Sequence, residues 1–370
     1  MAVTVKNTKA RFVPVPVRAG IRCLLITVAW MSQSAGAQTV PSDLVDISIE
    51  DLFAANVVTE EARDGARRRW YLEYSYGRSE FDQYQLGTQK LSYDDVLWLG
   101  PSTTRTPDNY PVVPTKINQE VHSLLLGFQY SNKISARLSV PFIKQSTDHV
   151  SIVPGYDEFN ISSDGVGDVV ALIDYELSRS VNSAWHGVFG LSVPTGSIDE
   201  EGDTPRAPGD QQLPYTMQIG SGTWDLPLGV TYKKYGQYLN GGSDMLAVIR
   251  TGNNDRDYRL GHKFTWAGWL SWNGGELVEP GVRLSYRWQG DISGEDVSLR
   301  VPNPAFPYPA PVVDPTAFGG QQLDLAVYVD VELAAHWNLR VEYSRPLWLN
   351  LNGPQSAEKF HLGLSIGTTF

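Results

Sequence analysis

Cysteine is almost absent: the chain of 370 residues has one, Cys23. That excludes a disulfide framework and any zinc site built from several thiolates. No window reaches the roughly 18 consecutive apolar residues of a spanning helix, so a helical inner-membrane protein is excluded as well. Basic residues are in deficit, 30 against 41 acidic ones for a net charge of −11, and the basic footprint of a nucleic-acid binder is missing. Catalytic signatures are missing too: no H-E-x-x-H, P-loop, G-x-S-x-G elbow or EF-hand occurs. The six histidines are scattered. A lipid-active pair at His186 and Ser192 would lie about 20 Å apart along a strand, too far for proton transfer. No enzyme activity, cofactor or metal is therefore expected, and the oxygen-rich stretch 251–261, with Arg256 and Arg259 in it, reads as a solvated turn rather than a calcium loop. What the chain has is 11% aromatic residues, far from the composition of disorder. Its length suits two ordinary domains or one large barrel.

The first 37 residues carry Lys6, Lys9, Arg11, Arg18 and Arg22 and no acid. An apolar run from Cys23 to Met31 and then Ala35-Gly36-Ala37 follow. A positive start, a short apolar core and a small-x-small site predict a secretory signal peptide over 1–37, cleaved before Gln38. Residues 38–68 are expected to be a periplasmic N-terminal segment with a short amphipathic helix, because Leu44, Ile47, Leu52 and Phe53 share a helical stripe. Its Asp-x-Ser-x-Glu-Asp-Leu stretch resembles the peptide that precedes the barrel of outer-membrane receptors. A plug for a pore and a loosely docked arm both remain open for it.

From Arg69 the period changes to two. Trp70, Leu72, Tyr74 and Tyr76 alternate with Arg69, Tyr71, Glu73 and Ser75. Val282, Leu284, Tyr286 and Trp288 alternate with Arg283, Ser285, Arg287 and Gln289, and residues 322–333 do the same. Such segments are strands with one apolar and one polar face, longer than the usual five or six residues or so. The spacing predicts strands near 69–78, 119–130, 133–145, 165–178, 184–195, 217–233, 242–252, 259–272, 278–289, 321–334, 337–347 and 358–370. The connections alternate between long (79–118, 146–164, 196–216, 253–258, 290–320, 348–357) and short (131–132, 179–183, 234–241, 273–277, 335–336). Gly220 to Asp225 looks like a turn, but parity favours a glycine-softened kink inside one strand. Long loops on one end, short turns on the other and an even strand count predict an all-β fold, a transmembrane antiparallel β-barrel of about 12 strands over 69–370. Trp70, Trp185 and Trp337 at one end and Trp288 and Trp348 at the other would form its interfacial girdles.

The chain ends Phe360, Leu362, Leu364, Ile366 and Phe370 in alternation with polar residues. This resembles the terminal strand by which bacterial outer-membrane proteins are recognised by the barrel-assembly machinery, with Phe370 as the signal. With apolar faces toward lipid, Glu73, Arg137, Asp168, Asp174, Arg283, Arg287, Asp324, Asp330, Glu332, Arg340, Glu342 and His361 are expected to line the lumen, where charge is tolerated. Twelve strands leave a bore of about ten ångströms. Either these charges orient polar solutes or they pair across the lumen and brace the wall. The proline-rich stretch 301–311 should be extended and stiff, with Phe306 and Tyr308 as candidates for a gate at the mouth.

Three passages carry a family resemblance: Gly165-Val-Gly-Asp168, Pro194-Thr-Gly196 and Gly220-Ser-Gly-Thr-Trp-Asp225. In this order and spacing they resemble the outer-membrane transporter family of the meta-pathway of phenol degradation, over about 120–370. The resemblance implies a Gram-negative outer-membrane, porin-like channel for passive uptake of small compounds, aromatic or hydrophobic ones among them. Its partners would be outer-membrane lipid, the assembly machinery and a small solute. The alternative is a non-conducting structural or surface-binding barrel.

Overall fold

The computed structural model describes residues 69–275, 277–334 and 336–370. The expected signal peptide and the expected periplasmic segment with its helix lie outside the described residues. Eleven long strands form the wall: β1 (Arg69–Gly87), β2 (Val112–Gln129), β3 (Ile134–Ser151), β4 (Val169–Ser180), β5 (Ser183–Val193), β6 (Trp224–Lys234), β7 (Leu239–Thr251), β8 (Lys263–Trp272), β9 (Val278–Gln289), β10 (Gly320–Ala334) and β11 (Trp337–Thr369). Each pairs antiparallel with the next, and β11 closes the ring on β1. A ring in which every pair is antiparallel cannot hold an odd number of one-way strands. The last element resolves this. Its first arm pairs with β10 from Trp337 to Leu351, and its second pairs with β1 from Leu351 to Thr369. The chain thus reverses after Leu351 and crosses twice, giving twelve crossings.

Period-two patterning sets the two faces of the wall. Leu124, Ile173, Phe189, Met245 and Val327 are exposed on the lipid side, while their neighbours Leu125, Leu172, Val188, Leu246 and Ala326 are buried inside. Trp70 packs on Phe128 (4.5 Å between ring centroids) and Trp185 on Tyr232 (4.7 Å) at the end with the short turns. Trp288 and Trp348 stand exposed at the other end. Amphipathic rings collect where one side meets lipid and the other water. Phe370 exchanges backbone hydrogen bonds with Trp70 (3.0 and 2.9 Å), fastening the last residue to the first strand.

Three expectations need correction. The loop expected over 79–118 is shorter, because β1 and β2 continue to Gly87 and from Val112. Likewise β3 runs on to Ser151, and Glu158–Val166 returns along it as a further strand. That strand and β4 are one descending line: Phe142 faces Val166 and Ser139 faces Val170, so one extra residue forms a bulge at Gly167 and Asp168. The Gly-x-Gly-Asp passage is therefore a mid-wall bulge and not a strand start. Finally, residues 217–223 are not part of a kinked strand. Tyr215–Met217 make a 3-10 turn, Gly222 has a φ of +69°, and the strand begins at Trp224. Twelve crossings survive because this segment leaves the wall altogether.

Candidate functional site: the lumen and its mouth

The three motif passages meet in space. Asp168, aimed inward by its bulge, accepts hydrogen bonds from the Gly196 N–H (2.9 Å), the Ser221 N–H (2.9 Å) and the Ser221 hydroxyl (2.7 Å). Gly196 and Gly220 touch backbone to backbone, where a Cβ on Gly196 would come within 2.6 Å of the Gly220 Cα. Only glycine fits such a crossing. Asp225 accepts from Thr223 Oγ1 (2.7 Å) and forms a short ion pair with Arg250, both side chains 0% exposed. This hub pins the segment 213–223 across the mouth of the barrel.

Once inside, that segment is held from the wall. Gln145 donates to the Gln218 carbonyl (3.2 Å) and to Ser163 Oγ (3.1 Å), which itself donates to the Met217 carbonyl (2.7 Å). Ile219 packs on Val121 and Ile143, and Met217 on Ile161 and Leu213. Above it lies a loop core in which Tyr215 meets Tyr258 and Phe318 edge-on at 4.8 and 5.7 Å, with Leu260, Leu299, Val312 and Val313 around them. The stretch 251–261 is an exposed turn in its first half, with Thr251, Gly252, Asn253, Asp255 and Asp257 in solvent, and enters this core in its second: Tyr258 and Leu260 are buried, and Arg256 bridges Asp199 (2.7 Å) and Asp296 (3.1 Å). Tyr308 packs half-buried against this core, and Arg105 stands 5.0 Å from the Phe306 ring and donates to the Tyr308 carbonyl (3.2 Å). Ala310 of the proline-rich stretch, with Val312, Val313 and Phe318 beyond it, is buried in the same core.

Below the mouth the two sides of the bore differ. On β9, β10 and β11 the expected charges are gathered and paired. Arg287 reaches Asp324 (3.0 Å) and Glu358 (2.9 Å), and Arg340 grips Asp330 with two bonds of 2.7 Å. Arg283 approaches Glu342 at 3.9 Å, and His361 meets Ser79 at 3.0 Å. Tyr328 lies over bare Gly281 and offers its face to Arg340 (4.5 Å) and Arg283 (5.9 Å), a cation–π platform. Glu332 is exposed near the end with the short turns. Glu73 accepts from Tyr71, Arg137 is buried, and Asp174 bonds His186 (2.8 Å). His186 and Ser192 both face inward and are buried, away from the lipid surface that a lipid-active pair would need.

On β2, β4, β5 and β7 a set of inward residues is apolar: Leu125, Val170, Leu172, Val188, Leu246 and Val248 pack together with Tyr71, interleaved with the polar inward residues Ser123, Asp174, His186, Ser192 and Arg250. Sequence reasoning assigned apolar faces to lipid and missed this wall. The available signal was the run Val169-Val-Ala-Leu-Ile173, apolar on both faces. It also missed Ser221, Arg250, Tyr328 and Glu358.

No protein-family model matches the sequence, and no curated protein matches it. Among solved structures the fold is similar to the COG4313 outer membrane channel from Pseudomonas putida F1, with 16% identity and a TM-score of 0.54 over 85% of this chain and 100% of that one. This is the fold of a transmembrane β-barrel of the outer-membrane type. Also similar are the translocator domain of autotransporter NalP from Neisseria meningitidis (9% identity, TM-score 0.46, 88% of this chain and 95% of that one) and the TodX monoaromatic hydrocarbon channel deltaS2 mutant (10%, 0.46, 86% and 94%). The fold assignment rests on the first of the three.

Proposed function

We propose that this outer-membrane barrel is a passive channel for small solutes, aromatic or hydrophobic compounds among them, and that it carries out no catalysis. The observation that carries this reading is the contrast inside the bore: an apolar patch drawn from five strands stands apart from a ladder of paired charges, and the mouth is filled by folded-in loops rather than by the wall itself. A barrel built only as a surface anchor has no need of an apolar patch in its lumen. The mouth segment 213–223 is the gate in this reading, and the charges from Glu73 to His361 are lumen residues. The names of the Pseudomonas channel and of the hydrocarbon channel agree with it, as does the motif resemblance to the phenol-degradation family. Residues 1–37 would direct secretion, 38–68 would lie in the periplasm, and Phe370 would be read by the assembly machinery.

The test is phenol entry into porin-deficient cells. Expression of the protein should raise the uptake rate severalfold. Ile143 and Ile219 touch in the mouth, and the mature chain is expected to be free of thiols. The double variant Ile143→Cys/Ile219→Cys should therefore lose uptake on oxidation and regain it with reductant. Uptake equal to that of empty cells would sink the channel reading. Phe370→Asp should lower the amount of inserted barrel, measured by heat-modifiable migration on gels; normal levels would remove its role in assembly.

A further inference from the structure

The end of the barrel with the short turns is electrically divided. Three consecutive turns, those after β2, β4 and β6, each combine a base with a large exposed apolar residue. The first has Tyr130 and Lys133, the second Val181 with Arg179 at its entry, and the third Tyr238 with Lys233 and Lys234 at its entry. Lys133 has no ion pair among the described residues. Lys234 donates only to the amide oxygen of Asn182 (2.9 Å). The acids on this side stand farther in and are each held: Glu73 by Tyr71, Asp174 by His186, Glu176 by Arg179 and Asp244 by Trp269. The other two short turns, 273–277 and 335–336, have no lysine or arginine in sequence, and Glu279, Asp330 and Glu332 stand on the strands beside them.

We infer that the basic half of this rim is the docking surface of the chain's own N-terminal segment, residues 41–54. Every charge between Gln38 and Ala62 is negative: Asp43, Asp46, Glu50, Asp51, Glu60 and Glu61. Asp43, Asp46 and Glu50 fall at i, i+3 and i+7 on one side of the expected helix, and Ile47 lies among them. That face mixes acid with apolar side chain as the three turns mix base with apolar side chain. The lengths agree as well. Neighbouring turns are two strands apart, so the three span about 20 Å, and residues 41–54 as a helix are about 20 Å long. The chain reaches the place: Arg69, where β1 starts, pairs with Gln129 beside the first turn, and residues 55–68 extend over as much as about 45 Å. Farther in, the buried side chains of Tyr71, Glu73 and Arg137 occupy the bore and leave no room for a helix about 10 Å wide. The segment is thus an arm laid along the exit and not a plug inside it. This goes beyond the channel reading and holds whether or not the barrel conducts.

Ile47→Cys is combined with Val181→Cys at the middle basic turn or with Leu277→Cys at an acidic-side turn, in the full mature protein purified in detergent. After oxidation the folded, heat-modifiable band is taken, and the joined peptides are quantified by mass spectrometry. At low salt the 47–181 disulfide should form at least tenfold more than the 47–277 one. The preference should fall severalfold in about 1 M NaCl, which screens charges beyond about 3 Å. Lys133→Glu/Lys234→Glu should remove it, and adding Asp43→Lys/Asp46→Lys/Glu50→Lys should bring it back. Equal yields at 181 and 277 overturn the docking. So does a preference indifferent to charge reversal. A loss on reversal that the lysines fail to restore overturns it too, because the bases then serve another partner such as lipid phosphate. The readout is a covalent bond and not an uptake rate, so failure of the channel reading leaves this result standing.

Discussion

Two sets of charges sit inside the same barrel and meet different solvents. At the mouth, Asp225 and Arg250 are wholly buried and Asp168 is saturated by Ser221 and Gly196. Down the bore, the arginines of β9 and β11 keep part of their side chains wet: 16% for Arg283, 30% for Arg287 and 22% for Arg340. A dry ion pair contributes little net stability when whole but is costly to halve. A wet pair is screened and can be rearranged cheaply. The first set is suited to holding a loop, and the second to tuning what passes.

The sharpest way to break that contrast is to strand one charge in the dry site. Arg250→Ala or Asp225→Ala should cost about 3–5 kcal/mol and lower the temperature at which the folded band is lost on gels. Wild-type heat resistance would mean that the mouth is wetter than its geometry. A smaller loss is expected from Ser221→Ala, which removes the hydroxyl given to Asp168 but leaves the backbone N–H in place. About 1–3 kcal/mol is expected there, with faster proteolysis of the loop 194–223, and unchanged proteolysis would detach Ser221 from gating. The least effect on stability should come from Arg283→Ala, about 0–1 kcal/mol, because Arg283 stands 3.9 Å from a Glu342 that is also partly wet. Its effect lies in selectivity. Glu342 loses its cation, so the reversal potential in planar bilayers should shift toward cations. An unshifted potential would show that this wall stands aside from the ion path.

How much of this was legible in the sequence depended on whether the signal was local. Alternation at Trp70 to Tyr76 and Val282 to Trp288 marked strands because a pleated chain cannot do otherwise with that pattern. The closing pair was legible in Phe360 to Phe370 for the same reason. Pairing of Arg287 with Asp324 was also foreseeable, since adjacent antiparallel strands bring such residues together. Arg283 approaches Glu342 and Arg340 holds Asp330, because each arginine takes the acid that its own rotamer reaches. The glycine passages were visible as motifs: Pro194-Thr-Gly196 does follow the end of β5 at Val193, but the other two were misread as a strand start and a kink. Their purpose is the crossing of Gly196 and Gly220, two points in different loops.

By itself, then, the sequence determined the alternating strands, their direction reversals, the aromatic girdles and the charges available to the interior. These follow from period two, from turn lengths and from the cost of placing charge in lipid. Only the tertiary structure decided where the bulge aims Asp168, that residues 213–223 turn into the mouth, and that apolar residues of five strands meet inside the bore. A closed barrel has two insides to satisfy, lipid without and lumen within, and an apolar residue suits either. Which one it faces is set by register and by what it meets across the bore, and that meeting exists only once the ring has closed.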